Sequence, residues 1–132
     1  MSTSRVEHAN ITVQDPVATA NVLVDLFGWH IRWQGEAMSG GYTVHVGGED
    51  SYLALYTNGA STKGSTLDRD DSSYDRPLGL NHIGIVVDNL ESVELRVKKS
   101  GFKTHSYADY EPGRRFYFYD NDGLEFEVIS YA

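Results

Sequence analysis

The chain carries five histidines and nineteen aspartates and glutamates but no cysteine. Disulfides, thiolate zinc sites and cysteine nucleophiles are therefore excluded, and any bound metal must be held by imidazole nitrogen and carboxylate oxygen. Three side chains stand out for that chemistry: His8, His82 and Glu127. Each sits in a run whose apolar residues alternate, the mark of a half-buried strand. Side chains on a strand point alternately to its two faces. His8 thus shares a face with Asn10 and Thr12, opposite Ala9, Ile11 and Val13. His82 shares one with Gly84, opposite Ile83, Ile85 and Val87. Glu127 shares one with Glu125, opposite Leu124, Phe126 and Val128. All three are expected on the side away from a covering helix, where they converge if the sheets curl toward one another. His30 and His105 read as surface or hydrogen-bonded residues, and the orientation of His45 stays open.

The elements that would position these residues occur twice. His8 lies over His82, Gly28 over Gly101 and Ala54 over Glu127, a repeat of roughly 73–74 residues. Each copy reads as strand, helix and three strands. In the first, a strand is predicted over 6–13. Asp15 then caps a helix that starts at Pro16, with Val17, Ala20, Val24 and Phe27 as its apolar stripe and Gly28 as its stop. Strands follow over 29–34, 42–46 and 52–57. In the second copy a strand is predicted over 80–87. Asp88 and Glu91 form a capping box, Leu90, Val93 and Val97 the helix stripe, and Gly101 the stop. Strands follow over 102–107, 115–119 and 124–130, with Asn121-Asp122-Gly123 as a hairpin turn. The fold class is α+β, a single domain over 1–132, with module one at 5–58, a polar Ser/Thr/Gly/Asp-rich linker at 59–79 and module two at 80–132.

Composition narrows the function classes. The chain has 132 residues, 40% hydrophobic and 23% charged, with a net charge of −8. That acidity argues against nucleic acid or an anionic membrane as the partner. The N-terminal sequence carries no apolar stretch behind its charge and no run approaches the ~18 apolar residues of a spanning helix, so a cytoplasmic protein is expected. Tyr52 and Tyr56 flank Ala54 on one strand face, and with Asn10 they would line a roomy aromatic pocket for a small molecule. Arg115 could neutralise an anionic group on that substrate.

The paired copies, together with Glu7-His8-Ala9-Asn10-Ile11, Asn81-His82-Ile83-Gly84-Ile85-Val86-Val87-Asp88 and the stretch from Phe116 through Gly123 to Phe126-Glu127, resemble the vicinal oxygen chelate superfamily. It includes glyoxalase I, fosfomycin-resistance enzymes, methylmalonyl-CoA epimerase, extradiol ring-cleaving dioxygenases and bleomycin-binding proteins. The resemblance implies two βαβββ modules in a curved mixed sheet with a central cup. It implies metal ligands at positions 8, 54, 82 and 127, of which Ala54 cannot ligate. The remaining two histidines and one carboxylate are similar to the extradiol and fosfomycin sets. They leave about three positions open on an octahedral divalent ion, Fe(II), Mn, Zn or Ni. Phe116-Tyr117-x-x-Asp120-x-x-Gly123-x-x-x-Glu127 resembles part of the extradiol pattern, in which the tyrosine, here Tyr117, hydrogen-bonds a substrate oxygen; Asn121 stands where that pattern has proline. The resemblance thus implies a metal-dependent enzyme that binds a substrate through vicinal oxygens, leaning to ring-cleaving dioxygenase chemistry. A glyoxalase I-like lyase or isomerase, or a thiol transferase, is the alternative within the family, and a bleomycin-resistance-type binding protein the alternative outside catalysis. It further implies a homodimer, in some members with modules exchanged between chains.

Overall fold

Asp15 opens the first helix as its residue type demands. Its Oδ1 accepts the Ala18 backbone N–H at 3.1 Å, and Pro16 follows in the first helical position. The helix ends at Gly28, whose left-handed backbone (φ 70°) suits a residue without Cβ. In the computed structural model, which describes residues 5–37, 40–58, 74, 80–110 and 113–132, this helix belongs to the first of two compact units, Met1–Gly64 and Ser65–Ala132. The first contains β1 (His8–Thr12), α1 (Pro16–Phe27), β2 (His30–Glu36), β3 (Tyr42–Gly47) and β4 (Tyr52–Thr57). The second contains β5 (Ile83–Val86), α2 (Leu90–Lys99), β6 (Thr104–Tyr110), β7 (Gly113–Tyr119) and β8 (Glu125–Ser130). The two βαβββ modules of an α+β fold are therefore present. The expected linker falls outside the described residues except for Tyr74.

Each unit holds one four-stranded mixed sheet, ordered β1-β4-β3-β2 in the first and β5-β8-β7-β6 in the second. The first strand of each module runs parallel to the last, and the last three are antiparallel neighbours. One face of each sheet is dry. In the first unit Val44, Val46, Leu53 and Leu55 are buried with Ala20, Leu23 and Leu26 of α1. In the second, Phe116, Phe118, Phe126 and Val128 are buried with Leu90, Val93 and Val97 of α2. Phe118 stacks on Phe126 with ring centroids 5.3 Å apart. Burying each such large apolar side chain stabilises the fold by about 1.5–3 kcal/mol.

Two helix details differ from the sequence expectation. The buried stripe of α1 is Pro16, Ala20, Leu23 and Leu26; Val17 is exposed, and Val24 and Phe27 are only half-buried. Nearly every position of this helix is apolar, so periodicity fixed the helix but left its rotation to the larger leucines. In α2 the cap is Asn89, whose side chain accepts the Ser92 N–H at 3.0 Å, in place of the Asp88–Glu91 box. The helix begins one residue later than expected, where Leu90 can reach the core. Its end is a Schellman motif: Phe102 N–H donates to Val97 O and Gly101 N–H to Lys98 O.

The hairpin joining β7 and β8 contains a buried carboxyl. Gly123 has φ 83°, as the turn requires, and Asp120 Oδ1 accepts the N–H groups of Asp122 and Leu124 at 2.9 and 3.0 Å. Burial pushes the Asp120 carboxyl up to about 6, against the pull of those N–H groups. The folded protein thus holds this proton more tightly than the unfolded chain. The group favours folding below the ordinary carboxylate range, and that contribution is lost as pH rises toward about 6. A shift of this size corresponds to about 3 kcal/mol. Asp120→Asn keeps the accepting oxygen and removes the titration. Urea denaturation should show the variant gaining stability relative to the wild-type protein between about pH 4 and 7; a constant difference across that range would contradict the assignment.

Candidate metal centre

The face of each sheet opposite its helix carries the polar residues, as strand alternation demands. In the second unit, Gly84 pairs in register with Glu127, Glu127 with Tyr117, and Tyr117 with His105. These residues form one row across four strands. Arg115, Tyr119 and Glu125 share the face, while Phe116, Phe118 and Phe126 point into the core.

Glu127 organises this row. Its Oε2 accepts from the Arg115 guanidinium at 3.0 Å and from the Tyr117 hydroxyl at 2.9 Å. Its Oε1 faces His82 Nε2 at 3.6 Å. The other nitrogen of His82, Nδ1, lies 2.9 Å from the hydroxyl oxygen of Tyr74. That hydroxyl donates to Glu125 Oε1 at 2.8 Å, so toward His82 its oxygen can accept, which suits the ring form with its hydrogen on Nδ1. In that form the Nε2 lone pair is on the side of Oε1. Metal–nitrogen and metal–oxygen bonds of about 2.0–2.2 Å at tetrahedral or octahedral angles put two ligand atoms about 3.0–3.5 Å apart. The His82–Glu127 spacing is slightly wider than this, so sharing a divalent cation would draw the two groups a little closer; the donors on Oε2 are what a ligating carboxylate needs to stay oriented. Gly84 leaves room there: a Cβ on it would stand 3.5 Å from Oε1. Among the described residues no group of three or more histidine, aspartate or glutamate side chains is gathered to hold a metal ion, so this pair needs a further ligand brought to it.

Burial first, and Glu127 second, push the Tyr117 hydroxyl above its ordinary range, so it stays a hydrogen-bond donor at neutral pH. Arg115, expected at an anionic substrate group, donates to Glu127, with its second nitrogen on Gly113 O at 3.2 Å. His105, expected as a surface or hydrogen-bonded residue, lies 2.9 Å from Ser106 Oγ through Nδ1 and stacks on Tyr117 and Tyr119 with centroids 5.8 and 5.0 Å away. Its buried Nε2 lies 3.4 Å from Glu125 Oε2. The β6 bulge between His105 and Ala108, with Ser106 at φ 56°, sets its direction. Glu125 was visible beforehand as the neighbour of Glu127 on its face. Tyr74 gave no signal, because nothing in a polar stretch marks one tyrosine as a long-range partner.

The corresponding face of the first unit is aromatic. His8 pairs with Tyr52, Asn10 with Ala54, His45 with Ala54 and Trp33 with His45. The rings form a continuous row: His8 to Tyr52 at 4.9 Å, Tyr52 to His45 at 4.6 Å and His45 to Trp33 at 5.2 Å. The Arg32 guanidinium lies 4.4 Å over the Tyr52 ring. Burial holds His45 below the usual imidazole range, so it stacks as a neutral ring. His8 donates from Nδ1 to Glu7 Oε1 at 3.0 Å, and this bond lowers the Glu7 carboxyl. Tyr56 and exposed Asn10 complete the expected pocket face around Ala54.

Residues 5–128 match the model of the Glyoxalase/Bleomycin resistance protein/Dioxygenase superfamily. The chain belongs to this superfamily. Among solved structures, a glyoxylase/bleomycin resistance protein/dioxygenase domain from Frankia sp. EAN1pec is 20% identical with a TM-score of 0.79, over 98% of this chain and 93% of that one. The fosfomycin resistance protein FosX from Listeria monocytogenes, complexed with Mn(II) and sulfate, is 18% identical with a TM-score of 0.70, over 98% and 93%. TnmS3, an antibiotic-binding protein from Streptomyces sp. CB03234, is 17% identical with a TM-score of 0.72, over 98% of each chain. At these identities the likeness is one of fold. No curated protein matches the chain. The superfamily holds enzymes and binding proteins alike, so within it the side chains at the site must separate the two.

Glu127 gives a direct structural test. Glu127→Ala removes the carboxylate that the mostly buried Arg115 and Tyr117 bind, and should destabilise the protein by about 3 kcal/mol. Glu127→Gln, which keeps one acceptor oxygen, should cost less. Urea denaturation measures both; equal stability of the alanine variant and the wild-type protein would contradict the central place given to this residue.

Proposed function

We propose that this superfamily member is a divalent-metal-dependent enzyme whose ion is held by His82, Glu127 and His8, and which binds a small substrate through two adjacent oxygens. The supporting observation is His82 Nε2 standing 3.6 Å from Glu127 Oε1 while Arg115 and Tyr117 hold the other carboxylate oxygen. His8 supplies the third ligand, from the same chain or from a second copy in a homodimer; its Nδ1–H bond to Glu7 leaves Nε2 for the ion. With two neutral rings and one anion, Fe(II), Mn, Zn and Ni all suit the donor set. A divalent ion so bound supplies Lewis-acid stabilisation of charge developing on the substrate oxygens.

The protein's own residues do the rest. Arg115 holds Glu127 in place. Tyr117, protonated and beside that carboxylate, can turn its hydroxyl to a substrate oxygen as donor. The row from His8 through Tyr52 and His45 to Trp33 offers ring faces and edges, which favour a planar or aromatic substrate. Together these support ring-cleaving dioxygenase-like chemistry with Fe(II) over a glyoxalase-like lyase or thiol transferase, because Ala54 leaves no fourth side chain to move a proton. The same aromatic row, and the fold shared with an antibiotic-binding protein, favour a second reading, a non-catalytic binder of a ring-shaped ligand.

Metal analysis of protein purified without a histidine tag separates the two. The enzyme reading expects about one ion per chain and a loss of at least 100-fold in affinity for His82→Ala and for His8→Ala, measured by calorimetry with Mn(II) and Zn(II). Catechols, 2-oxoaldehyde–thiol adducts and epoxides, each offered with Fe, Mn, Zn and Ni, then identify the reaction. No stoichiometric metal, with undiminished binding of an aromatic ligand by the double variant, would establish the binding-protein reading.

A further inference from the structure

Tyr74 is not on any strand of the second sheet, yet its hydroxyl stands between two groups of the site. It lies 2.9 Å from His82 Nδ1 and 2.8 Å from Glu125 Oε1. An imidazole can bind a cation through Nε2 only while the hydrogen sits on Nδ1, and the partner of Nδ1 decides which nitrogen keeps it. A tyrosine hydroxyl has one proton to give. With that proton committed to Glu125, it can only accept from His82. The direction of the whole chain, His82 Nδ1–H to Tyr74 to Glu125, is therefore set by the carboxylate at its far end.

That carboxylate is well anchored. Glu125 is 7% exposed, and its Oε2 lies 3.4 Å from buried His105 Nε2. His105 is itself fixed by stacking on Tyr119 and by the 2.9 Å contact of its Nδ1 with Ser106 Oγ at the β6 bulge. Nothing in the metal ligation itself calls for Glu125 or Tyr74; their geometry acts on the ring that ligates.

We propose that Tyr74 is a positioning residue, which together with Glu125 holds His82 in the Nδ1–H tautomer and so presents Nε2 to a divalent cation. This deepens the metal-site reading and rests on it for its consequence, while the tautomer itself can be observed without any metal. The segment between the two modules thereby contributes to cation affinity through one hydroxyl.

The test uses the full chain with Tyr74→Phe, Glu125→Met and Glu125→Gln. Calorimetry with Mn(II) and Zn(II) should show Tyr74→Phe and Glu125→Met each weakening binding by about 10–100-fold. Glu125→Gln, which keeps an accepting oxygen, should stay near the wild-type value. The Tyr74→Phe/Glu125→Met double variant should be no weaker than either single one, since both break the same chain. Nitrogen-15 NMR of the metal-free protein supplies a readout that a merely structural role would not move. The His82 ring should carry its hydrogen on Nδ1 in the wild-type and Glu125→Gln proteins, and as a mixture in the other two. An unchanged His82 tautomer in Tyr74→Phe would overturn the proposal, as would unchanged affinity. If the wild-type protein binds no metal, the metal-site reading fails by itself, and the tautomer comparison still decides the role of Tyr74.

Discussion

The carboxylate of Glu127 divides its two oxygens between different tasks, and the chemistry of the second unit follows from that division. Oε2 is occupied by a guanidinium and a phenol. Both are charge-assisted bonds in a largely buried setting, where they are stronger than at an open surface. The carboxylate is thereby rotationally fixed, so that Oε1 has a defined direction. Without Arg115 a carboxylate this buried would lose its hydration with too little in return. The orientation of His82 matters only because Oε1 is already aimed.

The two modules place different chemistry on the same frame. In strand register, Ala54 occupies the position of Glu127, His45 that of Tyr117, and Trp33 that of His105. His8 opens β1 and His82 stands just before β5, at equivalent places in the repeat. The first unit fills this frame with rings that stack, and the second with acids, tyrosines and one arginine that hydrogen-bond. One sheet face is suited to apolar and planar contact, the other to charge and proton handling. A duplicated fold can divide recognition and reactivity in this way because the helix-covered face, which carries the stability, is left untouched by changes on the other.

Much of the frame was legible in the residues. Apolar alternation placed β1, β3, β4, β7 and β8 within a residue or two, and Asp15-Pro16, Gly28 and Gly101 marked the helix ends. The polar side of each strand, with His8, Glu127, Tyr117 and Arg115 upon it, followed from the same alternation, while His82 lies just before β5. Where local signals competed, the reading slipped: α1 is apolar on too many sides for its sequence to reveal which side is buried, and Asp88 and Asn89 are both adequate caps.

The sequence by itself determined the element order, the face most strand side chains occupy and the absence of any sulfur ligand from cysteine, because strand and helix periods, capping chemistry and composition are local properties. Only the tertiary structure decided which partners those side chains meet. Arg115 turns to Glu127 across a strand pair, His105 is brought beside Glu125 by a bulge, and Tyr74 reaches His82 and Glu125 from 8 and 51 residues away in the chain. Such pairings depend on strand register and on where a non-periodic segment is laid down, and no spacing rule along the chain encodes either.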